Sequence, residues 1–345
     1  MKNQSAFLTD LMKVEIRDSD MPEVGAEDLL IEVKHVGICG SDVRIFAHPE
    51  ACLHPPVYPV ILGHESAGIV VGMGQNVKGF SIGDRVAVEP GVPCRKCRYC
   101  LDGRYNLCEE MDFMACYPWK RSALSRYITH PAMMCYKLPE NVSTLEGALM
   151  EPLSVGLHAA ARANIRLGQT AVILGAGCIG LMTLCACKAY GASQTVSVDL
   201  FDNRLEMADQ LGASVSINSE KNDPVAIVRK LTDGIGADVV FEAAGSPRTL
   251  EIAQNLVRPG GKIVMVGSVH GTPDLRYYDM SCKEIDILSV FRYQNTYPTA
   301  IAAVSSGSIS IKPIATHCFS FEDVQKAFDC AFMDKQNVLK AVIAL

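Results

Sequence analysis

The stretch from Ala171 to Asp199 constrains the fold more tightly than any other part of this chain. Ala171–Leu174 is a short apolar run rich in β-branched residues, suited to a strand buried on both faces. Gly175, Gly177 and Gly180 follow in G-x-G-x-x-G register, and Leu181–Tyr190 has the length and apolar content of a helix packed on a sheet. After a break at Gly191, a second apolar run ends in Asp199. Gly175 permits a tight turn, Gly177 lets a pyrophosphate approach the backbone, and Gly180 lets helix and strand pack closely. The helix N-terminus offers free N–H groups and a positive dipole end to the phosphates. Asp199, about 20 residues on, can accept both hydroxyls of a ribose. Glycine-rich turns alone are common. With the strand before, the helix after and the acid at this distance, the reading is a dinucleotide site.

The chain around this stretch falls into two patterns. The first 150 residues read mostly as β, with runs such as Leu29–Val36, Gly68–Gly72 and Arg85–Val88 separated by Gly, Pro and Asp turns. Helix signals are few before Thr144, where Thr-Leu-Glu-Gly resembles a helix start. From Glu151 onward strands alternate with helices. After Asp199 come a helix near Asn203–Leu211, a strand at Ser214–Ile217 and a helix near Pro224–Leu231. A strand at Asp238–Glu242, a helix at Pro247–Val257 and a strand at Lys262–Val266 follow, with Ile285–Phe291 as a further edge. That alternation predicts a doubly wound parallel sheet. The tail from Arg292 to Leu345 carries a helical Phe321–Met333 and a strand-like Leu339–Leu345, and is expected to rejoin the first domain.

Composition excludes several classes. A length of 345 residues suggests two domains, and 49% hydrophobic residues can fill sizeable cores. A net charge of -6 disfavours nucleic acid and anionic membranes as partners. No apolar run reaches membrane-spanning length, and MKNQSAFLTD lacks the apolar core of a signal peptide, so the expected location is cytoplasmic. In that compartment the 14 cysteines are thiols or metal ligands rather than disulfides.

Cys94-x2-Cys97-x2-Cys100-x7-Cys108 is the first chemical cluster. Four thiolates at these spacings can close a tetrahedron around zinc, while Arg95, Lys96, Arg98 and Arg104 offset the charge. Four cysteines leave no open position, so the role is structural. An iron–sulfur cluster also suits four thiolates, but nothing else here calls for electron transfer. A second cluster is scattered over Gly37-Ile-Cys-Gly-Ser-Asp42, Gly63-His-Glu65 and Met150-Glu-Pro152. Cys39, His64 and a carboxylate could hold zinc with one position open, as a catalytic metal requires. Spacing alone does not make these residues a motif.

At these residues the chain resembles the zinc-dependent medium-chain dehydrogenases, and among them the sorbitol (polyol) dehydrogenases. Gly-Ile-Cys-Gly-Ser-Asp, Gly-His-Glu, Gly-Asp-Arg-Val-Ala-Val-Glu-Pro-Gly, Gly-Arg-Tyr-Asn-Leu, Glu-Pro-Leu-Ser-Val-Gly-Leu-His and Val290-Phe-Arg-Tyr293 carry the resemblance in order along the chain. It implies an α/β plus β architecture. A GroES-like catalytic domain, residues 1–151 and 292–345, would be interrupted by a Rossmann domain, residues 152–291. Cys39, His64 and Glu65 fall on the catalytic zinc positions, and Glu151 on a carboxylate that reaches the metal directly or through water. Asp42 matches an acid that orients the histidine. Ser41 is placed to take the substrate's proton, and Arg292 and Tyr293 match residues at the substrate hydroxyls.

Cofactor contacts are implied for Gly175, Gly177, Ile179, Gly180, Asp199 and Arg204, for Val266, Gly267 and Ser268, and for Val290 and Phe291. The resemblance therefore implies two Zn2+ per chain, NAD, a small-molecule polyol substrate and a homo-oligomer, dimer or tetramer. Two departures bear on it. Arg44 stands where the family often has a histidine ending a proton relay. Ile45 replaces a pocket tyrosine, which predicts a more apolar end to the pocket. Zinc dehydrogenation of L-threonine, a vicinal diol or a sugar acid stays open as an alternative. A zinc-ribbon nucleic-acid module is disfavoured by the acidic charge, and a catalytically dead binding protein by the intact Cys39, Ser41, His64, Glu65 and Glu151 set.

Overall fold

The computed structural model describes residues 2–345, which form two compact units. The first runs to Glu151 and is completed by Tyr297–Ser306 and Ala315–Leu345; the second is Pro152–Thr296 with Gly307–Ile314. The expected return at Arg292 therefore shifts to Tyr297, and residues 307–314 go back to the second unit. There Ile309 lines a small cavity with Cys185 and Leu211. Among the described residues no helix is long and apolar enough to cross a membrane.

The first unit is built on the strand Asp28–Gly37. Its alternating pattern buries Leu29, Ile31 and Val33 on one face. It pairs antiparallel with Glu65–Met73, and at its ends with Tyr127–Pro131 and Ala341–Ala344. The strand Ala341–Ala344 also lies parallel to His317–Ser320, so the C-terminal tail completes the first sheet. Between those strands the helix Val324–Met333 buries Val324, Ala327 and Phe328, an i, i+3, i+4 stripe. The Phe328 ring sits 5.2 Å from that of Phe46. Phe46 belongs to the helix Gly40–Ala47, which the sequence reading did not anticipate. The N-terminal hairpin of Asn3–Asp10 and Lys13–Ser19 was also missed.

A buried polar network holds the cysteine segment against this sheet. Glu89 follows the strand Arg85–Val88 and is 1% exposed. Its carboxylate accepts the Tyr105 hydroxyl at 2.7 Å and the Tyr136 hydroxyl at 2.9 Å. Burial pushes its pKa up, and the two phenols offset part of that cost. Its carbonyl accepts from His130 Nε2 at 2.8 Å. A carbonyl can only accept, so Nε2 carries the proton of a neutral imidazole. Tyr105 lies inside the cysteine segment, so one carboxylate joins that loop to the sheet.

The second unit is a six-stranded parallel sheet. In space its strands run Val215–Asn218, Gln194–Asp199, Thr170–Leu174, Ala237–Glu242, Val257–Met265 and Asp286–Ser289. The order reverses between Thr170–Leu174 and Ala237–Glu242, which opens a crevice at their C-terminal ends. Helices begin where expected, at Asp202, Pro224 and Pro247. Asp223 caps the second of these through the Val225 N–H, with Pro224 in the first turn.

His130 generates a prediction. Burial lowers its pKa to about 3, from 6.5. The folded value lies below the unfolded one, so stability from this group is intact above pH 6.5 and falls away toward pH 3. His130→Gln keeps an N–H near Nε2 and removes the titration. Its denaturant-unfolding free energy should lose about 3 kcal/mol less than the parent between neutral pH and pH 4. An unchanged acid slope would contradict the assignment.

Candidate active site and metal centres

The crevice of the second unit holds a cavity of about 660 Å³ lined by Gly175, Gly177, Asp199, Phe201, Arg204 and Thr249, among others. Gly175 has φ 101°, and a Cβ there would come within 2.8 Å of the Ala244 nitrogen. At Gly180 a Cβ would collide with the Gly175 carbonyl oxygen. Both positions therefore require glycine, one for the turn and one for the close approach of helix to strand. The helix Cys178–Ala189 starts directly behind the turn, with Gly177 as its N-cap. Ile179 is partly exposed in its first turn.

Asp199 ends its strand 8% exposed, and its carboxylate organises the surrounding backbone. Oδ2 accepts the Ala176 N–H at 2.7 Å, which ties it to the glycine turn. Oδ1 accepts the N–H groups of Leu200 and Phe201 at 2.8 and 3.1 Å. Arg204 Nη1 lies 3.7 Å from Oδ2, and its guanidinium sits 5.1 Å from the Phe201 ring centre. An anion so placed at the cavity wall suits a ribose and repels a phosphate.

The other residues expected at the cofactor follow neighbouring strands and are not part of the cavity's lining. The N–H groups of Val266 and Gly267 both donate to the Glu242 carbonyl at 2.8 Å, and partly exposed Val290 donates to Met265. Ser268 and Phe291 are exposed. The Arg292 guanidinium stacks 4.8 Å from the Phe291 ring, at a backbone φ of 53°, and Tyr293 is 3% exposed. Arg292 and Tyr293 belong to the second unit, not to the first as expected. Sequence reasoning missed Phe201, Asn222, Arg248 and Thr249 in the cavity wall; no spacing rule marks them.

In the first unit, Cys94, Cys97, Cys100 and Cys108 converge, all four sulfurs within 4.8 Å of one another. Cys94 and Cys100 approach to 3.9 Å, and Cys97 and Cys100 to 3.5 Å. A tetrahedron with bonds of about 2.3 Å to sulfur has edges of about 3.8 Å, so the set fits a closed zinc site. Backbone N–H groups of Lys96 and Cys97 lower the Cys94 pKa to about 7. Burial and the neighbouring thiols push Cys100 up to about 12, so a cation is needed to hold all four as thiolates.

Cys39, His64 and Glu65 also come together, one ligand atom of each within 4.8 Å of the others. Cys39 caps the helix Gly40–Ala47, and Asp42 in its first turn accepts the Cys39 N–H at 3.0 Å. The same carboxylate accepts the Gly63 N–H at 3.2 Å and stands 3.5 Å from His64 Nδ1. Asp42 thereby fixes the backbone at Cys39 and at Gly63, and its place beside Nδ1 leaves Nε2 of His64 for a metal. Burial opposes a charge on His64, but Asp42 and Cys39 hold its pKa well above the ordinary value. The soft sulfur, imidazole nitrogen and carboxylate suit zinc. Phe113 packs 5.7 Å from the His64 ring.

Glu65 has a partner the sequence did not reveal. Lys340 Nζ donates to both its oxygens, at 2.7 and 2.8 Å, and to the Ile38 carbonyl at 3.1 Å. Neither member of the pair is more than 4% exposed. Glu151 is buried in the first turn of the helix Met150–Ala163, and does not belong to the three-residue cluster. Ser41 is exposed in the turn after Cys39. Ile45, expected to make the pocket wall apolar, is 6% exposed and packs within the core of the first unit.

Comparison with known proteins agrees with this geometry. Residues 25–140 match the model of the alcohol dehydrogenase GroES-like domain, and residues 178–306 that of zinc-binding dehydrogenases. A sorbitol dehydrogenase of Arabidopsis thaliana is 40% identical, over 100% of this chain and 96% of its own. An Escherichia coli oxidoreductase of unknown specificity is 47% identical, with TM-score 0.96 over 100% of this chain and 99% of that one. An Escherichia coli alcohol dehydrogenase solved with NADH is 27% identical, with TM-score 0.91 over 100% and 99%.

The Glu65–Lys340 pair is directly testable. Lys340→Met leaves a buried carboxylate without its cation and should lower unfolding free energy by about 3–5 kcal/mol. The double variant Glu65→Gln, Lys340→Met should recover much of that loss in the same denaturation experiment. Equal losses in both variants would show that the lysine's value lies in packing alone.

Proposed function

We propose, from the premise that the chain belongs to the zinc-dependent medium-chain dehydrogenases, that it oxidises a secondary hydroxyl of a polyol to the ketose with NAD, reversibly. The observation that carries the reading is the convergence of Cys39, His64 and Glu65 in a chain that also holds a dinucleotide cavity. When bound, zinc supplies a Lewis acid that lowers a hydroxyl's pKa, and nicotinamide accepts a hydride. Cys39 and His64 hold the metal, with Glu65 or Glu151 as the carboxylate ligand. Asp42 keeps the imidazole in one orientation by standing at Nδ1. Ser41, exposed beside Cys39, takes the hydroxyl proton and passes it on. Cys94, Cys97, Cys100 and Cys108 hold a second, structural zinc. The balance is one alcohol and one NAD converted to one carbonyl, one NADH and one proton.

Two groups set the choice of substrate. The Arg292 guanidinium is planar, carries only donors and is steadied on Phe291, which suits a row of hydroxyl oxygens. Tyr293 both donates and accepts. A name among relatives supports the same class, since the Arabidopsis thaliana protein is a sorbitol dehydrogenase. NAD is favoured because Asp199 stands where a 2′-phosphate would bring a second anion. Solved relatives carry NADH in one case and NADP in another, so the preference rests on Asp199 alone.

Two measurements decide this. NADH absorbance over a panel of polyols, diols, simple alcohols and L-threonine should rise fastest with a polyol carrying adjacent secondary hydroxyls. Arg292→Ala should lose most of that activity yet spare 2-butanol. A preference for L-threonine or simple alcohols over every polyol would end the polyol assignment and leave the dehydrogenase intact. For the cofactor, Asp199→Ala should narrow the ratio of kcat/KM for NAD over NADP by about tenfold or more, the scale of one removed anion–anion contact. Equal use of both by the unmodified enzyme would refute the role given to Asp199.

A further inference from the structure

We infer that Glu242 is a positioning residue of the dinucleotide site, the single group that sets three loops in register. The inference rests on the dinucleotide reading above. Glu242 ends the strand Ala237–Glu242 beside Leu174, the residue just before the Gly175 turn, and is fully buried. Its Oε1 accepts from the N–H groups of Ala244, Gly245 and Ser246, at 3.0, 2.8 and 3.4 Å. The Thr249 hydroxyl adds a contact of 2.7 Å, sharing its one proton between Oε1 and the Ser246 carbonyl. The main-chain carbonyl of Glu242 accepts from Val266 and Gly267, and the next residue, Ala243, donates to the Leu174 carbonyl.

These bonds join three segments that end neighbouring strands. Ala244, Ser246 and Thr249 line the 660 Å³ cavity together with Gly175. The fit between them is close. A Cβ on Gly175 would meet Ala244, and one on Gly267 would meet the Gly245 nitrogen at 2.5 Å and Glu242 Oε2 at 2.7 Å. A shift of the 243–246 loop therefore has to move the glycine turn or the 266–268 loop with it. Bonds to a carboxylate oxygen are charge-assisted and stronger than those to a neutral amide acceptor. Oε2 has no donor among the described residues, so the bonding is concentrated on the oxygen that faces the loop. A structural carboxylate would serve stability alone. One that aligns the cavity wall instead sets affinity for the dinucleotide.

Glu242→Gln keeps the shape and the Oε1 acceptor but removes the charge. In the zinc-loaded full-length enzyme, the NADH dissociation constant, read by fluorescence titration, should rise about tenfold, the scale of weakened charge-assisted hydrogen bonds. The KM for NAD should rise by a similar factor with kcat moved less, and the melting temperature without dinucleotide should move by a few degrees at most. Thr249→Val, which keeps the carboxylate and drops one donor, should raise the constant in the same direction by less. It also decides the matter if Glu242→Gln does not fold. Unchanged NADH binding in the folded variants, or a loss of melting temperature with no loss of affinity, would overturn the assignment. Failure of the unmodified enzyme to bind NADH would instead remove the dinucleotide reading, and this inference with it.

Discussion

A buried ion pair completes the first unit. Lys340 comes from the last residues of the chain and Glu65 from the position next to His64, yet both charges are out of solvent. Removing two charges from water costs several kcal/mol, which the fork of two short hydrogen bonds and the third bond to Ile38 offsets. The pair forms only when Ala341–Ala344 has docked on Asp28–Gly37. The cluster of Cys39, His64 and Glu65 is thus finished by a tail that the chain reaches after the whole second unit. The lysine also donates a hydrogen bond to each Glu65 oxygen, whereas among the described residues neither Cys39 nor His64 faces a cation of that kind.

Elsewhere the same device appears in other forms. Asp42, Glu89 and Asp199 are each buried or nearly so, and each accepts at least one N–H or O–H donor from a segment distant in sequence. Asp42 joins the turn before the first helix to the Gly63–His64 corner. Glu89 joins the cysteine segment to the sheet. Asp199 joins the end of its strand to the glycine turn. A carboxylate that gathers several donors is strongly directional, because leaving any donor unmet in the interior is costly. The candidate site residues therefore stand on backbone that is fixed by charge as well as by apolar packing.

Much of this was legible in the sequence. The parallel sheet announces itself through β-branched runs and helical spacing, and Pro224–Leu231 and Arg85–Val88 have the bounds the pattern predicts. The four cysteines are close enough in sequence for spacing to give their convergence. Other features were hidden for physical reasons. Gly40–Ala47 is too short for periodicity to show, and its cap is a cysteine rather than the usual serine or aspartate. Nothing local marks Lys340, because its partner lies far away in sequence and only the sheet brings them together. Ile45 was assigned to a pocket by analogy, whereas the helix turns it into the core. Arg292 and Tyr293 lie close to a chain crossing that no local signal marks, so their unit was misplaced.

A closed sulfur site and a separate mixed-ligand site in one chain would have a distinct zinc signature. X-ray absorption at the zinc edge of the protein as purified addresses it most directly. Two zinc ions per chain and a mixed shell are expected, with sulfur at about 2.3 Å and nitrogen or oxygen at about 2.0–2.2 Å. A shell of sulfur alone, with one zinc per chain in fully active protein, would contradict this.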